Sequence, residues 1–388
     1  MNREFKEDLI NASELKTVGK NKEALKYFEK AYSQNPEAFT FKQKTDFGWT
    51  IYQVKIKNFK NEDELIESAD FITRMLAQKD LNTNRSCVYT SSVFKVLQYF
   101  KERKDYWTMI DWAEKLNPDL LDERPYRNYG MLQKSKREKY YDWTSMAYLR
   151  TMEYEKCIET SKKAINTLKT FHNDGDTWFK WRTAKSLKEL GQLKEALTYY
   201  LEVIKVKQEW YMYRDIAEMY YDLNKPYDAL DYLCPAILSK TPISNKISAY
   251  YLAYKVFTSF NPEMARKHAE LYCLVKTREG HSIPYEINEM DIDVEKLNFT
   301  KLDSEITDLW IRYRYKDQNC QHGTVISYKQ DKNFGFIRND DGEEIFFHKN
   351  DFHGSEIYIG ELVSFYTEKS FDQVKNKESV KAVNVRRN

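Results

Sequence analysis

Two short runs, Lys332-Asn333-Phe334-Gly335-Phe336-Ile337 and Ile345-Phe346-Phe347-His348, carry the side chains whose spacing best suggests chemistry. Read as strands, they alternate their side chains with a period of two. Phe334 and Phe336 then share one face, as do Phe346 and His348, while Ile337, Ile345 and Phe347 fall on the opposite face. The second set suits a hydrophobic core. The first is a row of four flat rings that something else must cover. Unstacked nucleobases are the most economical cover, because each base–ring contact contributes about 1–3 kcal/mol. The competing reading is that another part of the same chain docks on the rings.

Other chemistries find little footing. The histidines (His172, His268, His281, His322, His348, His353) show no metal-ligand spacing, and no glycine-rich loop has the pattern of a phosphate cradle. No local motif favours a nucleophile–base set. Neither a cofactor nor a metal is expected, and no enzyme activity. The 62 Lys and Arg against 60 Asp and Glu leave a net charge of +2, so any nucleic-acid binding must come from a local surface. The five cysteines are scattered, which points to a reduced, cytoplasmic protein without disulfides. The first residues lack the apolar stretch of a signal peptide, and no apolar run is long enough to span a bilayer.

The elements that must position the ring face come from a change of composition at His322. Beyond it lie five of the 11 glycines and neither Trp nor Pro. Strand-like runs recur at Thr324–Tyr328, Asn333–Arg338, Glu344–His348, Leu362–Thr367 and Val380–Val385. Asn339-Asp340-Asp341-Gly342 supplies hairpin chemistry between two of them. Five short strands in so few residues predict a small closed barrel of the OB type. Its ten Lys and Arg, Lys375 among them, are nearly cancelled by eleven Asp and Glu, so non-specific electrostatic affinity should be modest.

The preceding two-thirds of the chain reads as amphipathic helix pairs with an internal pattern. Ala184, Leu187, Gly191, Ala196, Tyr200 and Val203 form its clearest copy, and Ala217, Tyr220, Asn224, Ala229, Leu233 and Ala236 repeat it 33 residues on. Ala12, Leu15, Gly19, Ala24, Phe28 and Ala31 form another copy, and Ala253, Val256, Ala265, Ala269 and Tyr272 a fourth. Weaker copies are placed at Phe94, Leu97, Ile110 and Ala113, and at Ser145, Tyr148, Cys157, Ser161 and Ala164. Thr40 to Arg85 is helical in pattern but cannot be put in register. Small residues let paired helices approach closely, and each pair buries its apolar faces only by stacking on the next.

In period and pattern this region resembles the tetratricopeptide repeat (TPR) family. The resemblance implies an α-solenoid with a groove for a protein partner. Family members that grip a C-terminal carboxylate use a Lys and Asn clamp. The matching positions are Trp181 and Lys185 in one repeat and Arg214 and Glu218 in the next, so that ligand is not expected. Trp178, Trp181, Tyr211, Arg214 and Tyr221 are instead the candidate groove residues, with packing between repeats as the alternative role.

The stretch Gly323 to Ile337, with Asp340-Asp341-Gly342 and Ile345 to Lys349, resembles a cold-shock domain and its two ribonucleoprotein motifs. That family stacks bases of single-stranded RNA or DNA on an exposed aromatic face. Carried across, it implies Phe334, Phe336, Phe346 and His348 as stacking residues and Lys332 as a backbone contact. Tyr328 stands where the family has an aromatic at the end of strand one. Three positions depart from the family: Ser327 replaces its usual Trp, Ile326 the Lys before it, and Lys349 an aromatic. Lys349 is a candidate phosphate contact in return. Asn333 replaces a motif glycine in a turn, where Asn is tolerated.

The expected organisation is therefore an all-α TPR-like solenoid over residues 1–276, a bridging segment over 277–321 with a helix from Asp303 to Tyr315, and a five-stranded cold-shock-like OB barrel over 322–388. The expected function is an adaptor binding single-stranded RNA in preference to DNA through the barrel and an unidentified protein through the solenoid. Two alternatives stay open: a pure protein scaffold with the barrel face docked on the repeats, and a single-stranded-DNA accessory subunit.

Overall fold

The computed structural model describes residues 3–79, 86–128, 130–354, 356–372 and 377–388. Lys375 and the 80–85 end of the unregistered stretch lie outside them. Two compact units are present, Met1–Met212 and Tyr213–Asn388.

The first unit is built from helical hairpins: α1 (Arg3–Thr17) with α2 (Asn21–Gln34), α3 (Phe41–Ile51) with α4 (Glu62–Met75), α5 (Val88–Arg103) with α6 (Tyr106–Ala113), α7 (Lys136–Arg150) with α8 (Tyr154–Thr167), and α9 (Gly175–Glu189) with α10 (Leu193–Val203). A small hairpin, β1 (Tyr126–Asn128) and β2 (Met131–Gln133), lies between α6 and α7. The division into units falls inside α11 (Trp210–Asp222), which pairs with α12 (Pro226–Ile237); α13 (Ile247–Thr258) pairs with α14 (Pro262–Arg278).

One turn geometry recurs and fixes the repeat register. Gly19, Lys104, Met152, Gly191 and Asn224 all have positive φ, between 58° and 77°. Each sits between the helices of a hairpin, and the next residue's N–H closes back five residues: Lys20 to Leu15, Asp105 to Phe100, Glu153 to Tyr148, Gln192 to Leu187 and Lys225 to Tyr220, at 2.9–3.0 Å. This is the Schellman C-cap, which satisfies otherwise orphaned carbonyls. Seven residues before the turn stand Ala12, Leu97, Ser145, Ala184 and Ala217. Five after it stand Ala24, Met109, Cys157, Ala196 and Ala229. All ten are 0% exposed. In the α5–α6 hairpin the close-packed position is therefore Leu97 rather than Phe94, three residues later than the sequence pattern placed it. A leucine there hides the small-residue signal.

The unregistered stretch folds as the α3–α4 hairpin. A π-helical turn, Tyr52–Ile56, extends α3, and its wider winding displaces the side-chain pattern from the register of its neighbours.

In the second unit the chain leaves α14 through the short α15 (Tyr285–Asn288) and enters α16 (Phe299–Arg314). The helix begins before the predicted Asp303 because the Asn298 side chain caps it, accepting from the Lys301 N–H at 3.0 Å. Leu302, Ile306 and Trp310 of α16 enter the core of α11–α14. Trp310 is fully buried and its indole N–H donates to His268 Nε2 at 2.9 Å.

The chain ends in a closed barrel of β3 (Gln321–Lys329), β4 (Phe334–Asn339), β5 (Glu344–His348), β6 (Leu362–Asp372) and β7 (Lys377–Arg387), ordered β3-β4-β5-β7-β6. β5 and β7 run parallel, while the β3–β4, β3–β6, β4–β5 and β6–β7 pairs are antiparallel. Val325, Ile337, Ile345, Phe347, Val363 and Phe365 form its core. TPR-like hairpins followed by a five-stranded OB-type barrel are the predicted architecture. Among the described residues, no helix is long and apolar enough to cross a membrane.

Candidate nucleic-acid interface

The pairing of β3, β4 and β5 aligns the outward side chains in rows. Lys329, Phe334 and His348 make one row, and Ser327, Phe336 and Phe346 the next. Thr324, Arg338 and Glu344 make the third. Inward neighbours alternate with them: Gly335, Ile337, Ile345 and Phe347 are buried. The three phenylalanines touch, with centroid separations of 6.0 Å (Phe334–Phe336), 5.5 Å (Phe334–Phe346) and 5.9 Å (Phe336–Phe346). They are half-buried by one another. The result is a continuous aromatic surface with tilted and edge-to-face rings.

His348 closes the row. Its Nδ1 accepts the Asn350 N–H at 3.1 Å, so in the neutral ring the proton sits on Nε2. The turn between β3 and β4 places Lys332, and Asn333 in it takes φ +53°, which explains how Asn stands where the family has glycine. The Asn333 carbonyl accepts the Lys349 N–H at 2.8 Å, tying that turn to the end of β5 and bringing Lys332 and Lys349 to one end of the ring face.

Tyr328 is the correction. Strict alternation from Val325 places it outward, but the pairing with β4 slips between Val325 and Ser327, so that Ser327 faces out and Tyr328 faces in. Its ring lies opposite Gly335 and stacks on Phe347 at 6.3 Å and 13°. Among the described residues its hydroxyl is buried without a partner. Gly335 is required there, since a Cβ would meet the Ser327 carbonyl oxygen and approach Phe347 to 2.6 Å. The slip also exposes a residue that the sequence pattern missed. Lys329 takes the outward place beside Phe334, with its ammonium 5.6 Å from the ring centre. Among the described residues, Lys329, Lys332 and Lys349 have no carboxylate partner, whereas Arg338 is neutralised by Glu344 at 2.8 Å. The free positive charge is concentrated at the Phe334 end.

The barrel meets α16 by a different face. Tyr315, just past the helix end, stacks on Tyr366 of β6 at 4.4 Å and 10°. Glu368 of β6 accepts from Arg314 (2.7 Å) and Tyr315 (2.9 Å). Asp308 of α16 pairs with Arg386 of β7 at 2.5 Å. Ile311 and Val383 are buried together in the same joint.

The candidate groove residues divide between the units. In the first, Trp178, Trp181 and Tyr211 form an edge-to-face chain, each step 6.0 Å. In the second, Arg214 is held by Asp215 at 2.8 Å and Glu218 at 3.1 Å, and Tyr221 lies under Lys255 at 5.1 Å. Each of the five has an intramolecular partner.

Residues 321–387 match the family model described as the 'Cold-shock' DNA-binding domain, and residues 177–296 match a domain of unknown function, DUF7017. No curated protein matches the chain. Among solved structures, TPR-like repeats of a Podosopora anserina kinesin light chain are 11% identical, covering 50% of this chain and 96% of their own at a TM-score of 0.39. A tetratricopeptide repeat protein from Parabacteroides merdae is 14% identical, with 80% and 100% covered and a TM-score of 0.34. The Rap conjugation gene regulator of plasmid pLS20, solved with the Phr* peptide, is 13% identical, with 76% and 85% covered and a TM-score of 0.36. The repeat architecture stands on its five matching turns, and the barrel is a cold-shock domain.

Proposed function

We propose that this chain is a non-catalytic adaptor whose cold-shock domain binds single-stranded RNA across β3–β5 while its helical hairpins hold a protein partner. The observation that carries the reading is the division of labour on the barrel. Phe334, Phe336, Phe346 and His348 face outward on β4 and β5, and α16 takes hold of β6 and β7 instead. That division supports a ligand platform over the alternative scaffold in which the barrel face is docked on the repeats. Stacking supplies sequence-tolerant affinity, and Lys329, Lys332 and Lys349 supply phosphate contacts. Ser327 in place of an aromatic removes one stacking partner, so affinity is lower than on a complete platform by about tenfold.

The test is titration of the full-length chain with fluorescent oligouridine RNA and the matching deoxyuridine oligomer. Phe334→Ala/Phe336→Ala should weaken RNA binding at least tenfold, on the order of 1–3 kcal/mol per ring, with an unchanged circular dichroism spectrum. Undiminished RNA affinity in that variant would remove the platform from the account, and equal affinity for the two oligomers would remove the RNA preference.

A further inference from the structure

The first helices of two consecutive hairpins in the first unit, α5 and α7, present two lysines to one indole. Lys101 Nζ lies 5.0 Å from the centre of the Trp143 ring. Lys139 Nζ lies 4.3 Å from that ring and 5.6 Å from the ring of Phe94. Both lysines are half-buried, and among the described residues neither has a carboxylate within ion-pair reach. Nearby cations do find carboxylates: Asp142 of α7 takes Lys134, just before the helix, and Arg182 of α9, and Arg137 of α7 pairs with Glu123. Burial and the neighbouring Lys101 charge hold the Lys139 ammonium below the ordinary lysine range.

A cation over a ring gains about 0.5–2 kcal/mol, but a second cation on the same ring meets the first one's repulsion. If the role were only to cover Trp143, methionine would do it without the charge. An uncompensated pair of half-desolvated ammonium groups is a strong field waiting for an anion. The ring surface argues against nucleic acid as that anion. Trp143 is only 8% exposed, with both ammonium groups over its ring and Phe94 edge-on against it, leaving no platform for the base stacking on which single strands depend. A side-chain carboxylate on a flexible stem can reach half-buried ammonium groups.

We propose that Lys101 and Lys139 form a docking point for the carboxylates of an acidic protein segment, apart from the Trp178–Trp181–Tyr211 chain. This rests on the reading that the hairpins hold a protein partner.

The experiment uses the full-length chain and a fluorescein-labelled peptide of alternating Glu and Gly, with Gln replacing Glu in a control peptide. Wild type should bind the Glu peptide at least about tenfold more tightly than the Gln peptide, and Lys101→Met/Lys139→Met should abolish that preference. Without peptide the double variant should melt at a higher temperature than wild type, because its stems still cover Trp143 and the repulsion is gone. No preference in wild type, or a preference retained by the variant, overturns the proposal. So does a variant that loses affinity for oligouridine RNA, which would make the site a phosphate contact. RNA binding read on the same samples keeps the barrel's function separate: failure here with RNA binding intact removes only this site.

Discussion

Tyr328 and Phe334 are both aromatic and lie across the same pair of strands, yet one ring serves the core and the other the outward ring face. The alternation within β4 and β5 was readable because apolar and ring positions interleave without a break. In β3 it was not. The slip at Ile326 is set by pairing with β4, and nothing in Val325-Ile326-Ser327 marks it. The consequence is measurable. Tyr328→Phe should leave RNA affinity unchanged and stability equal or slightly higher, since a buried hydroxyl without a partner contributes nothing to offset its desolvation. Tyr328→Ala should cost about 2–4 kcal/mol in urea unfolding through lost packing on Phe347. Loss of RNA affinity in Tyr328→Phe would return that residue to the binding face. The same contact surface makes Gly335→Ala destabilising by about 1–3 kcal/mol, the usual cost of overpacking.

At the scale of elements, the hairpin register was legible where small residues and glycines coincide, as at Ala184 and Gly191. It faded where Leu97, Lys104 and Met152 fill the same roles with larger side chains, and where the π-helical turn after α3 displaces the pattern. Because Met152 adopts a left-handed φ of 63° that costs an L-residue about 1 kcal/mol, Met152→Gly should stabilise the protein, whereas Gly191→Ala should destabilise it by a similar amount. Thermal melts compare the two directly. The lock between α14 and α16 adds a pH dependence. His268 Nδ1–H donates to the Met264 carbonyl at 2.7 Å and Nε2 accepts from Trp310, so the folded site holds the neutral ring. Burial lowers its pKa from 6.5 to about 4. The unfolded chain therefore takes up the proton more readily. The contribution is complete above pH 6.5 and lost as pH falls toward 4, to a total of about 3 kcal/mol. The difference in unfolding free energy between wild type and His268→Gln should shrink over that window, and a constant difference would rule out the titration.

For the molecule as a whole, composition announced the boundary between helices and barrel, but not how the two are joined, because Tyr315, Tyr366 and Glu368 are unremarkable one at a time. Net charge was equally uninformative about binding. The near-neutral barrel concentrates Lys329, Lys332 and Lys349 at one end of the ring face. Three phosphate contacts on a single strand should give a log–log salt dependence with slope of about −2, and removing Lys349 should reduce it by about 0.7. An unchanged slope in Lys349→Ala would show that Lys349 faces something other than phosphate. The stacked Tyr315–Tyr366 pair, finally, changes the arithmetic of simultaneous binding within the second unit. A barrel on a flexible tether would present its RNA to a partner on α11–α14 at a local concentration diluted by the volume the tether sweeps. With the ring stack and the Glu368 and Asp308 contacts in place, that search volume collapses, and under the proposed function two weak ligands on this unit would meet as neighbours at a set separation.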